Sequence, residues 1–305
     1  GGVGGSYHLF EGKLDQARVF YKELSSSEVS TLYAETVETV ESLDPLSEDT
    51  TDTLQVLGDS SCIATYRFEN DETDLSGSYD GTGNAIQYAA GRYGQAGDFN
   101  GSSSNVELPT GSPFNDSDTI KSISAWVKAD TTSSRVYPFS IGSTTTDNQF
   151  FNFGWIPANN YVLLFIRNGS NSNQAYHSAS LTADTNWHHI VVQTTGSAVE
   201  IFIDGESKSV SSTYAGSGSA SSWISYPNYT GTVRANIGTN ASFTPQYSNG
   251  QIDQVRFFNK ALSASEVTTL YNENSLVASY RFEGNANDDT RNYDGTASNV
   301  TYEYG

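Results

Sequence analysis

The chain repeats itself, and the repeats stand in an order that no single domain produces. Residues 12–35 and 250–273 match without a gap, sharing Gly12/Gly250, Asp15/Asp253, Gln16/Gln254, Arg18/Arg256, Phe20/Phe258 and a Leu-Ser-x-Ser-Glu-Val block. Residues 66–88 and 280–302 also match without a gap, from Tyr-Arg-Phe-Glu to Tyr-Asp-Gly-Thr. Fixed self-similarity of this kind marks an array of units. The order is tail block, head block, long middle, tail block, head block, which is what a window on tandem domains gives. The expected division is the C-terminal end of a preceding repeat (1–35), an acidic, partly helical linker (36–60), one complete domain (61–275) and the start of a following repeat (276–305). Within one domain the tail and head blocks are expected to lie side by side. Between chains they are an alternative pairing, by strand addition at sheet edges.

The linker keeps apolar residues at helical spacing, Val29, Leu32, Tyr33, Val37, Val40 and Leu43, as far as Asp44-Pro45. From Glu35 to Asp59 it holds eight acidic residues and no basic one, the pattern of a solvated spacer. The whole chain follows suit, with 15 basic against 35 acidic residues and a net charge of −20. Nucleic-acid partners need clustered Lys and Arg, so that class is excluded, as is adhesion to an anionic bilayer. No apolar run approaches the 18 residues or more of a membrane span, so no membrane insertion is expected. The single Cys62 forms no intrachain disulfide, and a small residue at a strand start is all it is expected to be. Methionine is absent and the chain opens on Gly1, which leads us to expect a processed or excised segment.

With 19 Tyr, 15 Phe and few long charged side chains, the composition favours many short strands over helices. Strands are expected at Ile63–Phe68, Ser122–Val127, Val162–Ile166, His188–Val192 and Val199–Ile203. Turns are expected at Asp80-Gly81, Asn100-Gly101, Asn168-Gly169, Asp204-Gly205 and Asn249-Gly250. One helix should follow the last strand, opened by the capping box Ser263-Ala264-Ser265-Glu266 with Val267, Leu270 and Tyr271 as its apolar stripe. Some 215 residues of this kind suit one large β-sandwich.

These segments carry a resemblance. Tyr66-Arg67-Phe68-Glu69, Gly97-Asp98-Phe99-Asn100-Gly101, Ser124-Ala125-Trp126-Val127, Trp187-His188-His189-Ile190, Ile201-Phe202-Ile203-Asp204-Gly205 and Gly250-Gln251-Ile252-Asp253-Gln254-Val255-Arg256 occur in that order. Together they resemble the concanavalin A-like lectin/glucanase superfamily, and within it the laminin G-like, pentraxin-related domains found in phage structural and bacterial surface proteins. The resemblance implies an all-β fold, a two-sheet antiparallel jelly roll with a short C-terminal helix, with Trp187 packed between the sheets. It names no substrate, because this fold hosts many functions.

Glucanases of this fold carry Glu-x-Asp-x-x-Glu on one strand, placing two carboxylates on one face. The nearest string here, Glu69-Asn70-Asp71-Glu72-Thr73-Asp74, runs into a turn, lacks the last Glu and is not kept at Glu283. No catalytic residue is expected. His188 and His189 are neighbours on a strand, so they point to opposite faces and cannot serve one site. Calcium is a stronger candidate, since it takes carboxylate and carbonyl oxygens. The resemblance implies a structural ion where first and last strands meet, with Asp253, Glu69 and Asp71 as ligands. The competing reading pairs Asp253 with Arg67 or Arg256 in a buried salt bridge.

Aromatic residues in loops suggest sugar stacking. Trp223, Tyr226 and Tyr229 form one cluster, and Trp155 and Tyr161 another. The alternative is that these rings only pack the ends of the sandwich. An acidic, β-rich array without catalytic residues suits an extracellular or virion-surface protein. A tail fibre, spike or capsid decoration that attaches to a glycan or host cell surface is the expected role. An architectural spacer or bacterial adhesin, contacting neighbouring copies or other structural proteins of its assembly, is the alternative. A carbohydrate-binding module of a secreted glycoside hydrolase is a third setting.

Overall fold

The computed structural model describes residues 54–114, 118–169, 172–242 and 244–273, with shorter stretches between 13 and 33 and between 276 and 302. The chain divides into two units, Thr50–Glu273 and the pair Gly1–Asp49 with Asn274–Gly305. Val29 and Tyr33 are helical, and most of the expected linker helix lies outside the described residues.

Thr50–Glu273 is a sandwich of two antiparallel sheets, as the patterning requires. Across the first sheet run β15 (Ser211–Ala215), β11 (Gln174–Ser180), β10 (Tyr161–Asn168), β9 (Gln149–Ile156), β8 (Val136–Ser143), β16 (Val233–Ile237), β6 (Asn105–Leu108) and β3 (Thr82–Asn84). The second orders β14 (Glu206–Lys208), β13 (Val199–Ile203), β12 (His188–Thr194), β7 (Ser122–Ala129), β17 (Asn249–Phe258), β5 (Gln95–Asn100) and β4 (Gln87–Ala90), with β2 (Cys62–Tyr66) also paired to β17. Alternation along each strand sends one set of side chains inward. Ile123, Ala125, Val127, Ile190, Val192, Ile252 and Phe257 from the second sheet meet Phe139, Ile141, Phe151, Phe153, Val162 and Leu164 from the first. Each fully buried aliphatic or Phe side chain contributes about 1.5–3 kcal/mol.

The outer faces of the two sheets differ. Helix α1 (Ala264–Asn272) lies on the second sheet, where Val267 and Leu270 join Cys62, Val191, Phe202 and Phe258, with Val56 completing the cluster. Ser263 caps α1, its side chain and that of Glu266 bonding each other's backbone N–H as expected. Among the described residues the first sheet carries no helix on its outer face.

All five expected strands form, and Asp204-Gly205 makes a turn with φ of 53° and 80°, both left-handed, between β13 and β14. Asn249-Gly250 is not a turn; both residues open β17. Trp187 is half-buried ahead of β12 and does not pack between the sheets, a place taken by Trp155 and Trp223.

In the other unit, β1 (Ala17–Phe20) pairs antiparallel with β18 (Leu276–Tyr280). Arg18 faces Ser279 and Val19 faces Ala278, with a register break before Phe20. The β17–β2 ladder has Arg256 opposite Thr65 and Phe257 opposite Ala64, with a break before Phe258. The repeated sequences thus make the same ladder, here within one chain.

Candidate functional site

The open face of the first sheet can be followed row by row. Thr82 faces Glu107, Glu107 faces Asn236, Asn236 faces Ser140, and Ser140 faces Asn152. The row continues from Asn152 to Phe165, Tyr176 and Thr213. Eight strands at roughly 4.8 Å make a row about 34 Å long. It is polar at one end and aromatic at the other.

The polar end is a groove of 460 Å³ lined by Thr82, Asn84, Asn105, Glu107, Arg234, Asn236 and the loop residues Thr239, Asn240, Ser242, Pro245 and Tyr247. Asn84 Nδ2 donates to Asn105 Oδ1 at 3.3 Å, and Asn105 Nδ2 donates to Asn236 Oδ1 at 3.1 Å. Arg234 lies diagonally across the ladder from Glu107, and its Nε meets Glu107 Oε1 at 2.9 Å. Three amides carry more donors and acceptors than the two bonds between them consume. A hydroxyl both donates and accepts, so such a floor suits a polyhydroxylated ligand. The sequence signal for it is three polar pairs at i, i+2, Thr82/Asn84, Asn105/Glu107 and Arg234/Asn236, which alternation puts on one face.

The loop between β16 and β17 crosses the middle of this face. Ser140 Oγ donates to the Thr239 carbonyl at 2.7 Å, and Ala241 N donates to Asn152 Oδ1 at 2.8 Å. Tyr137 Oη donates to Gln246 Oε1 at 3.0 Å. Ser140 and Asn152 are buried because the loop covers them. Beyond it lies the aromatic end, where Tyr161, Phe165 and Tyr176 are half-buried around Tyr137, Ile156 and Leu163. The Arg167 guanidinium sits 4.7 Å from the Phe165 ring centre and 5.4 Å from that of Phe150.

The aromatic residues singled out in the sequence separate. Trp155 is 0% and Trp223 2% exposed, so neither ring has a face to stack on a sugar. Trp223 Nε1 donates to the Ile120 carbonyl at 2.7 Å, anchoring the ring in the core. Both indoles are the largest apolar bodies available to fill the space between the sheets, which is where they go. Tyr226 and Tyr229 are half-buried against that same core. Tyr161 alone of the five stands on the open face, in the aromatic end of the platform.

The expected calcium ligands also separate. A bulge in β17 after Asp253, with Gln254 at φ 49°, keeps Ile252 and Val255 inward and turns Asp253 to the outer face of the second sheet. There Asp253 is buried, under the segment 91–95 and beside Trp126. Tyr93 N donates to its Oδ2 at 2.9 Å, while its Oδ1 is buried without a hydrogen-bond partner. Glu69 accepts from Gln95 N at 3.1 Å on the same segment. A Cβ on Gly91 would come within 2.7 Å of Asp253 Oδ2, and one on Gly94 within 2.2 Å of Glu69 Oε1, so the two glycines let the backbone close over the two carboxylates. Burial, and then the charge of Glu69, push the Asp253 carboxyl well above the usual range despite the Tyr93 bond. An orphaned carboxylate oxygen with a second carboxylate near it fits a hard cation. Asp71 does not join them: it is exposed, and its Oδ1 accepts from Thr73 N at 3.0 Å. Among the described residues no three His, Cys, Asp or Glu side chains converge as a metal cluster. Nor does Asp253 pair with Arg256, whose partner is Glu273, with Arg256 Nη2 to Glu273 Oε1 at 2.9 Å.

The acidic string after β2 is dispersed as well. Glu72 accepts from the Tyr88 hydroxyl, and Asp74 is buried, accepting from Thr65 N at 2.8 Å. The two histidines do point apart. His189 is buried against Trp126, with Nε2 2.7 Å from Ser124 Oγ, and burial followed by the Arg256 charge pushes it down to about 3. His188 lies between Asp204 Oδ2 at 2.8 Å and Asp184 Oδ1 at 3.0 Å. Among the described residues no helix is long and apolar enough to cross a membrane.

Domain 4 of AbnA, an extracellular arabinanase of Geobacillus stearothermophilus solved in complex with arabinotriose, is similar to this chain. It is 25% identical with a TM-score of 0.51, over 69% of this chain and 98% of that one. The Ruminococcus gnavus IT-sialidase CBM40 aligns over 51% of this chain and 84% of its own, at 14% identity and a TM-score of 0.43. No curated protein matches the chain. The model of the Laminin_G_3 family matches residues 100–268, more than half of the sequence. With that match and the two-sheet jelly roll, the chain belongs to the Laminin_G_3 family of the concanavalin A-like lectin/glucanase superfamily.

Proposed function

We propose that this chain is a non-enzymatic, lectin-like binding module and that the open face of its first sheet takes a glycan. The observation that carries the reading is the row from Glu107 and Asn236 to Phe165 and Tyr176, which places a hydrogen-bonding groove and half-buried rings on one sheet face, on either side of the loop that crosses it. Sugars need both, hydroxyl partners and an apolar platform. The similar arabinanase domain, solved with arabinotriose, supports an oligosaccharide as ligand. No pair of carboxylates among Glu69, Asp71, Glu72 and Asp74 converges, which supports the non-catalytic reading.

The test is a glycan array probed with the 305-residue chain and with Tyr247→Ala and Asn236→Ala. Binding to a defined set of oligosaccharides, weakened at least tenfold in both variants, is expected. A chain that binds no glycan, or variants that bind as wild type, would overturn the assignment.

The setting we propose is a tandem array on a virion or cell surface, supported by the duplicated tail and head sequences and the acidic composition. The similar domain of an extracellular arabinanase favours a second setting, a module joined to a secreted glycoside hydrolase. Coding sequence adjoining this segment distinguishes them: further copies of the repeat support the first, a hydrolase domain the second.

A structural calcium is part of the proposal. Asp253 and Glu69 are its side-chain ligands, with backbone carbonyls completing a shell of six to eight oxygens. An ion there neutralises two neighbouring carboxylates and ties the last strand to the end of the first.

A further inference from the structure

We infer that the groove selects neutral glycans over acidic ones, and that Glu107 is the residue that sets this preference. The inference rests on the glycan reading of the open face and names the class of sugar it takes.

Among the described residues Glu107 and Arg234 are the only charged ones lining the groove. They are 42% and 53% exposed, so a ligand reaches both, yet each already holds the other, Nε to Oε1 at 2.9 Å. The pair is set by the fold. Glu107 on β6 is laddered with Asn236 on β16, and Arg234 is two residues along the same strand and face. An anion therefore already stands beside the cation before any ligand arrives. The rest of the groove floor, Asn84, Asn105 and Asn236, is uncharged, its side-chain amides hydrogen-bonded one to the next.

A sialic or uronic acid brings a carboxylate to this surface. It can reach the remaining N–H donors of Arg234 only beside Glu107, and the two anions then share one guanidinium. Like charges that close repel, and the chain around them already carries a net charge of −20. A neutral sugar meets no such conflict. Its hydroxyls accept from Arg234 and donate to Glu107 while the ion pair stays intact, and they exchange bonds with the amides. Selection against acidic ligands is thus built from a repulsive element that neutral ligands do not feel.

The experiment compares matched ligands, lactose against its α2,3- and α2,6-sialylated forms and arabinotriose against a uronic-acid-terminated trisaccharide. Affinities are measured by calorimetry at low salt with the 305-residue chain, and the ratio of acidic to neutral affinity is read. Wild type is expected to bind the acidic member of a pair at least tenfold more weakly. Glu107→Gln should raise the acidic-to-neutral ratio at least tenfold, because it frees Arg234, and the gain should vanish in Glu107→Gln/Arg234→Gln. A wild-type preference for acidic members, or a ratio that Glu107→Gln leaves unchanged, overturns the inference while the glycan reading stands. No binding of any member by either protein overturns both.

Discussion

Asn152, in the centre of an outward sheet face, accepts the backbone N–H of Ala241 at 2.8 Å and so fastens a loop over the sheet that carries it. Ser140, its neighbour across the ladder, holds the Thr239 carbonyl of the same loop. The loop supplies one wall of the polar groove, so groove shape depends on two polar residues at positions where a sandwich strand usually shows only solvent-facing variety.

Asn152→Ala leaves the Ala241 amide without its acceptor. The expected cost is about 1–3 kcal/mol in urea unfolding, the penalty of leaving a half-buried donor unmet. Hydrogen exchange at Ala241 should accelerate by more than the global loss of stability explains. Exchange that tracks the global loss alone would show that the loop is held by other means.

Trp223 and Tyr247 should part company on truncation. Trp223→Ala empties a core position and is expected to cost about 3–5 kcal/mol by denaturant titration. Tyr247→Ala removes a half-buried groove wall and should change stability by less than about 1 kcal/mol while weakening glycan affinity. Equal losses of stability in the two would mean that Tyr247 is structural.

Calcium should raise the melting temperature of the wild-type chain, and chelator should lower it again, because an ion bound only by the folded state stabilises by mass action. Asp253→Asn should abolish the response. In chelator the same variant should be as stable as wild type or more so, since it removes a buried carboxyl whose charged form burial disfavours. A wild-type melting point indifferent to calcium and chelator removes the ion from the account.

His188 gives a pH dependence of definite sign. Burial alone would lower its pKa, but the hydrogen bonds and charges of Asp204 and Asp184 outweigh it and hold the imidazole above its ordinary value. A folded pKa above the unfolded one means that the folded state binds the extra proton. The stabilisation is therefore complete below about pH 6.5 and is lost as pH rises through the higher folded value. Asp204→Asn should lower the imidazole pKa in an NMR titration and flatten this slope. A free-histidine titration in the wild type would sink the argument.

Much of the sandwich was legible because its signals are local. Val199–Ile203 forms the expected strand residue for residue, and the Ser263–Glu266 capping box closes as written. Edge and connecting strands such as β3 and β15, short and mostly polar, leave no such trace, since their strand character comes from the ladders they join. The site was harder. Large aromatics near Gly, Ser and Pro read as loop platforms, yet Trp155 and Trp223 fill the gap between the sheets, a fact of tertiary packing. The groove residues Glu107, Arg234 and Asn236 lie on two strands more than a hundred residues apart in sequence. Their alternation was visible in each strand, but their meeting depends on sheet order, which no single segment encodes. At Asp253 the carboxylate was visible in the sequence, while the bulge at Gln254 that turns it to the outer face of the second sheet was unreadable.

The unequal covering of the two sheets gives the sandwich a front and a back. Helix α1 and Val56 occupy the outside of one sheet, and the groove and platform occupy the outside of the other. A support that grips the sandwich through α1 would leave the proposed binding face displayed and aligned in one direction. If that face binds glycans as proposed, a crowded layer of such sandwiches would be a directional reading surface, its avidity governed by how densely the faces are spaced.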